Sequence, residues 1–194
     1  MKSYLTLLPL VLLFSCASHD AHSYTNIAKI PSDSALGRSE TSVSSRDANY
    51  LKVSGDSVEI PAFEIEIKLS PKAEEKLKQD KETVIVAAYF SGEPKDTTLS
   101  EYRDNGEIFV TSQQIELAES RKAKFEGIKF SKGLYDSLSS KDITLLINVV
   151  SGRRSTNVNL LNCGIIEEKM SKIKGNCYTI KGQLIEEPRQ FDTF

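Results

Sequence analysis

Val84-Ile85-Val86-Ala87-Ala88-Tyr89-Phe90 carries an apolar or aromatic side chain at every position. A short run of this kind, rich in β-branched and aromatic residues, reads as a strand covered on both faces. Ile143 to Val150 (ITLLINVV) reads as the second strand apolar on both faces. Between the amino terminus and the first run, Phe63, Ile65, Ile67 and Leu69 alternate with Glu64, Glu66 and Lys68. Period 2 of this sort marks a strand with one buried and one wet face. The two apolar runs are therefore expected as one central strand in each of two layers.

The remaining elements are short. Val58 and Ile60 sit on the opposite phase from Phe63, so a bulge or kink is expected at Pro61, which suits an edge strand. Ser70-Pro71 reads as the N-cap and first residue of a helix with Ala73 and Leu77 on its inner face. Ser91 to Asn105 is polar, with turn signals at Gly92, Pro94, Asp104 and Asn105-Gly106. Ile108 to Val110 and Ile115 to Leu117 read as two short strands, and Phe125, Ile128 and Phe130 mark another. Leu134, Tyr135 and Leu138 suggest a brief helix. Val158 to Leu161, Ile165-Ile166 and Tyr178 to Ile185 supply the last strands. Some eight strands with one or two short helices, and no long helix between them, predict an all-β sandwich rather than a parallel α/β sheet. In outline this is similar to transthyretin-like or immunoglobulin-like sandwiches.

Residues 1–15 read as a signal peptide, 16–56 as a tether and 57–194 as the folded domain. Lys2 gives a positive start, and Leu5, Leu7, Leu8, Leu10, Val11, Leu12, Leu13 and Phe14 an apolar core broken once by Pro9. The run is shorter than the ~20 residues a spanning helix needs. Leu13-Phe14-Ser15-Cys16 follows, and resembles the lipobox of bacterial lipoproteins, with Phe14 in place of the usual smaller residue. The resemblance implies that Cys16 becomes a lipid-modified amino terminus. With Ala17-Ser18 and no Asp directly after the cysteine, it also implies outer-membrane sorting, facing the periplasm. Each buried CH₂ of such an anchor contributes about 0.8 kcal/mol. Ala17 to about Asp56 is dense in serine and lacks apolar periodicity, as expected of a flexible tether with a reach on the order of 35 Å. His19 and His22, the only histidines, lie in it.

With Cys16 committed to the anchor, Cys163 and Cys177 remain as an even pair in an oxidising compartment, flanking a turn at Lys174-Gly175-Asn176. A structural disulfide between them is expected, closing a loop of roughly 15 residues and stabilising by about 3 kcal/mol.

The chemistry available to the domain is narrow. With no histidine in it, a Ser-His-Asp or Cys-His centre lacks its base. Phosphate loops, dinucleotide fingerprints and calcium loops are missing, and no metal or cofactor is expected. A formal net charge of -2 does not favour nucleic acid as a partner. Glu64 and Glu66, Glu74-Glu75 and Glu186-Glu187 read as solvated surface carboxylates. A non-enzymatic protein is expected.

Ser151-Gly152-Arg153-Arg154-Ser155-Thr156-Asn157 is the most notable surface feature. It follows a strand apolar on both faces, so a rigid scaffold would present two adjacent guanidinium groups, which pair carboxylates bidentately. Ser151-Gly152-Arg153 resembles the loop that periplasmic lysozyme inhibitors insert into the lysozyme cleft, although Ser155 stands where such loops carry a tyrosine. A lipid-anchored sandwich on a tether also resembles the lipoprotein subunits of envelope secretion systems. Two expectations follow. The first is a binding or scaffold module of an envelope complex, anchored to the membrane by lipid. The second is an inhibitor or immunity protein that blocks a cell-wall hydrolase with residues 151–154.

Overall fold

The computed structural model describes residues 50–98 and 106–188. Strands β1 (Lys52–Ser54), β2 (Ser57–Glu59) and β3 (Phe63–Leu69) lead into helix α1 (Pro71–Asp80). Strands β4 (Val84–Gly92), β5 (Ile108–Leu117), β6 (Lys122–Phe125) and β7 (Lys129–Ser131) follow, then helix α2 (Lys132–Ser137). The chain continues through β8 (Thr144–Ser151), β9 (Leu161–Cys163), β10 (Ile166–Lys169), helix α3 (Met170–Ile173) and β11 (Cys177–Leu184).

The fold is all-β and sandwich-like. One four-stranded sheet has the order β10-β8-β4-β5 and is antiparallel throughout. The other has the order β6-β3-β11-β9, with β3 and β11 parallel. A small third sheet, β1-β2-β7, adds buried Val58 and Phe130 to the same core. The two larger sheets meet through Phe63. Its ring stacks on Phe125 at 4.9 Å between centroids and meets Phe90 of the opposite sheet edge-on at 6.3 Å.

Several sequence expectations hold. β3 buries Phe63, Ile65 and Ile67 and turns Glu64 and Glu66 outward. The Ser70 hydroxyl caps α1 by accepting from the Ala73 amide, Pro71 opens the helix, and Ala73 and Leu77 are buried. α2 forms where Leu134 and Tyr135 suggested it.

Other expectations are corrected. The two apolar runs are not in separate layers: β4 and β8 are neighbours, with Val84 facing Ser151 and Phe90 facing Leu145. Both are central strands of one sheet, so main-chain pairing shields each edge. On the outward face, half-buried Ile85 and Tyr89 lie directly opposite Val150 and Leu146. Apolar neighbours across the ladder thus give both strands a second apolar face. The segments at 108–110 and 115–117 are one ten-residue strand, its period interrupted because Val110 bulges out of register between Phe109 and Thr111. The aromatic run 125–130 divides instead, with β6 in one sheet and β7 in another. The expected kink at Pro61 is likewise a change of sheet between β2 and β3. Eleven strands therefore replace the expected eight among the described residues.

Residues ahead of 57 pack with the domain, and the described residues begin at Tyr50. Leu51 is buried, and the Tyr50 hydroxyl donates to Asp142 Oδ1 at 2.9 Å while accepting from the Ile143 amide at 3.2 Å. Asp142 also accepts from the Ser171 amide and hydroxyl, so one carboxylate joins Tyr50 to the α3 turn.

The Cys163–Cys177 disulfide is not formed, and Cys163 is a free thiol. Strand register explains it. Cys163 faces Gly182 on β11, while Cys177 lies five residues back along that strand, beside Glu64. Five residues of strand span roughly 16 Å, whereas a disulfide needs Cα atoms within about 7 Å. The Cys163 sulfur instead packs over Gly182, where a Cβ would stand 2.4 Å from it. Burial there pushes the thiol up to about 11.

Two substitutions test this packing. Phe63→Ala, at the contact between the sheets, should cost about 3–5 kcal/mol in urea unfolding. Tyr50→Phe should cost about 1–3 kcal/mol, because Asp142 loses a donor. No change for Tyr50→Phe would show that the hydroxyl bonds to Asp142 and Ile143 do not hold residue 50 to the domain.

Candidate functional site

Leu117, Val84 and Ser151 stand side by side across β5, β4 and β8. The chain leaving Ser151 crosses this row. The Gly152 amide donates to the Thr83 carbonyl at 2.8 Å, and Arg154 reaches Glu116 on β5. The 152–155 loop thus lies over the end of the sheet and runs toward its β5 edge. Gly152 is required by close approach: a Cβ there would sit 1.8 Å from Thr83 Oγ1.

The loop is built around a buried carboxylate. α1 stops at Lys81, which adopts the left-handed conformation at φ 54°. The Glu82 amide then bonds back to the Leu77 carbonyl, and the Glu82 side chain turns under the loop with the residue only 4% exposed. Glu82 Oε1 accepts from the amides of Thr83 at 2.9 Å and Arg154 at 3.0 Å. Its Oε2 accepts from the Ser155 amide at 2.9 Å and the Ser155 hydroxyl at 2.8 Å. Successive amides turned toward one anion form a nest, and a left-handed residue is what turns them. Arg153 supplies it, at φ 58°. A non-glycine residue held there costs on the order of 1 kcal/mol, which the four bonds to Glu82 offset.

The base of the loop is tied as well. Asn159 Oδ1 accepts from the amides of Ser151 and Leu161, and the buried Ser151 hydroxyl accepts from the Leu160 amide.

The two arginines have different roles. Arg154 forms a fork with Glu116, Nε to Oε1 at 2.7 Å and Nη2 to Oε2 at 2.6 Å, while the Thr83 hydroxyl donates to the same carboxylate. Those bonds hold Glu116 down at about 2. Arg153 is exposed and has no hydrogen-bond or ion-pair partner among the described residues. Both guanidinium groups lie at the surface, Arg154 with its side chain 62% exposed but engaged by Glu116. The same loop carries Val158, an apolar side chain 62% exposed.

The other carboxylates singled out by sequence are structural or solvated. Glu66 lies 3.5 Å from Lys68, and Glu74 pairs with Arg121 at 2.8 Å. Glu187 is not a plain surface charge: it accepts from the Ser70 hydroxyl and the Leu184 amide, tying the end of β11 to the start of α1. Among the described residues no three His, Cys, Asp or Glu side chains are grouped to hold a metal ion, and no helix is long and apolar enough to cross a membrane. Cys16, His19 and His22 lie outside the described residues.

Sequence reasoning missed Glu82, Thr83, Glu116 and Asn159. Nothing local marks Glu82 as buried, because a left-handed Lys81 places it.

Comparison of the chain with protein families, curated proteins and solved structures returns no match.

The nest has a pH signature. Burial alone would raise the Glu82 pKa, but the Ser155, Arg154 and Thr83 amides and the Ser155 hydroxyl together outweigh it and hold it below the ordinary 4.5. A depressed carboxylate contributes stability that is present above pH 4.5 and lost as pH falls through its folded value. Glu82→Gln should therefore lower stability at pH 7 by about 1.5–3 kcal/mol and flatten the decline below pH 4.5. An unchanged acid slope in denaturation curves would show that the loop does not rest on this carboxylate.

Proposed function

We propose that the protein is an outer-membrane-anchored periplasmic lipoprotein, lipidated at Cys16. It serves as a non-enzymatic binding or scaffold module of an envelope complex, with the 151–155 loop as its contact element. The observation that carries this reading is Arg153. A strained left-handed arginine is held in place by a buried carboxylate and a tied loop base, and among the described residues its guanidinium has no partner. Ordering the loop in advance removes an entropic cost of association, and a planar guanidinium recognises a carboxylate on the partner. Exposed Val158 adds apolar contact on the same loop. The resemblance of Ser151-Gly152-Arg153 to lysozyme-inhibitor loops gives a second reading, in which the partner carboxylate belongs to a cell-wall hydrolase.

Stability and function should move oppositely at residue 153. Arg153→Gly relieves the left-handed strain, so unfolding should show no loss, or a gain of up to about 1 kcal/mol. The same variant should lose its partner in crosslinked envelope complexes. An unaltered complex would overturn the role of Arg153. Protection of peptidoglycan from added lysozyme by the wild-type chain, lost in Arg153→Gly, would select the inhibitor reading.

The anchor has its own test. Cys16→Ser should release the protein from membranes and abolish palmitate labelling. Membrane retention without label would contradict lipidation.

A further inference from the structure

β-Sheets expose unpaired main-chain groups along their outer strands, and proteins normally blunt those edges with short strands, lysines or bulges. Three of the four edges of the large sheets are blunted here. β6 is four residues long with exposed Lys122 and Lys124. β9 is three residues long. β10 is four residues long, carries Glu167, Glu168 and Lys169, and runs directly into α3.

β5 is different. It is ten residues long, IFVTSQQIEL, with no lysine, arginine, proline or glycine. Its only charge, Glu116, is neutralised by Arg154. The bulge at Val110 protects the Ile108 end, but Thr111 to Leu117 pairs with β4 in unbroken register. Among the described residues no main-chain bond joins β5 to any strand but β4. That leaves a regular edge of roughly 23 Å. It is continuous with the loop described above, because Glu116 near its end is the residue that Arg154 clamps.

We propose that the Thr111–Leu117 edge of β5 is a strand acceptor. It takes an extended segment of a partner protein that carries a carboxylate, laid so that its acidic end meets Arg153. This rests on the contact role of Arg153 proposed above and adds the shape of the partner. Main-chain bonds to β5 supply affinity, and exposed Ser112 and Gln114 on the outer face favour small or polar neighbours. The guanidinium sets which end of the segment lies beside Leu117. The charge pattern favours an acidic partner over a second copy of this chain, since self-pairing would bring no new anion to Arg153.

The test uses a random peptide library displayed on phage and selected on the full-length chain. Enriched peptides should alternate β-branched or aromatic with polar residues and carry Asp or Glu near one end. The isolated peptide should slow amide exchange at 111–117 at least tenfold and leave β6, β9 and β10 unchanged. On the Arg153→Ala chain the acidic preference should vanish while protection of 111–117 by a neutral selected peptide persists. If the acidic preference survives in Arg153→Ala, the role of Arg153 fails but the strand acceptor stands. Failure to enrich any peptide, or protection elsewhere, overturns the strand acceptor. So does protection of 111–117 in the chain alone that grows with protein concentration, which would assign the edge to self-association.

Discussion

The placement of β4 between β5 and β8 is the constraint on which the remaining structure depends. Its inward residues, from Val84 to Phe90, meet Phe63 and the opposite sheet. Its register sets Leu117 and Ser151 on either side of Val84. That row brings three distant parts of the chain together: the residues after α1, the end of β5 and the loop after β8. Once they meet, Glu82 has amides to bind and Arg154 has a carboxylate to clamp. The site is thus a consequence of one strand's pairing on both edges.

The electrostatics of the site follow a division of labour. Two carboxylates, Glu82 and Glu116, are consumed internally, one by main-chain amides and one by Arg154. A buried carboxylate is costly unless it is fully hydrogen-bonded, and Glu82 is satisfied by four donors. An exposed ion pair such as Arg154–Glu116 adds little to stability, so its main effect is to orient the loop. What is left over is Arg153, a positive charge on a backbone that cannot relax without breaking the nest.

Much of the fold was legible in the sequence, because alternation and capping are local signals. Phe63, Ile65 and Ile67 declared their face, and Ser70-Pro71 declared the start of α1. The two apolar runs were recognisable as buried strands, yet not as neighbours, since pairing depends on contacts far apart in the chain. β5 was read as two pieces because the Val110 bulge breaks its period and an edge strand tolerates Ser112, Gln113 and Gln114. The cysteine pair failed for a related reason: parity and compartment say nothing of register, and register places Cys163 beside Gly182. In the site, Ser151 to Arg154 was visible as a loop on a rigid strand. The difference between the two arginines was not, because it depends on Glu82 and Glu116, which look like ordinary surface acids.

The central claim is that the loop at residue 153 is a prebuilt contact surface. A photocrosslinking residue placed at position 153 of the full-length chain in intact cells tests it most directly, with the same residue at Lys124 on the blunted β6 edge for comparison. A discrete adduct of one mass from position 153, absent from position 124, is the result this account predicts. Equal or no crosslinking at the two positions would contradict it.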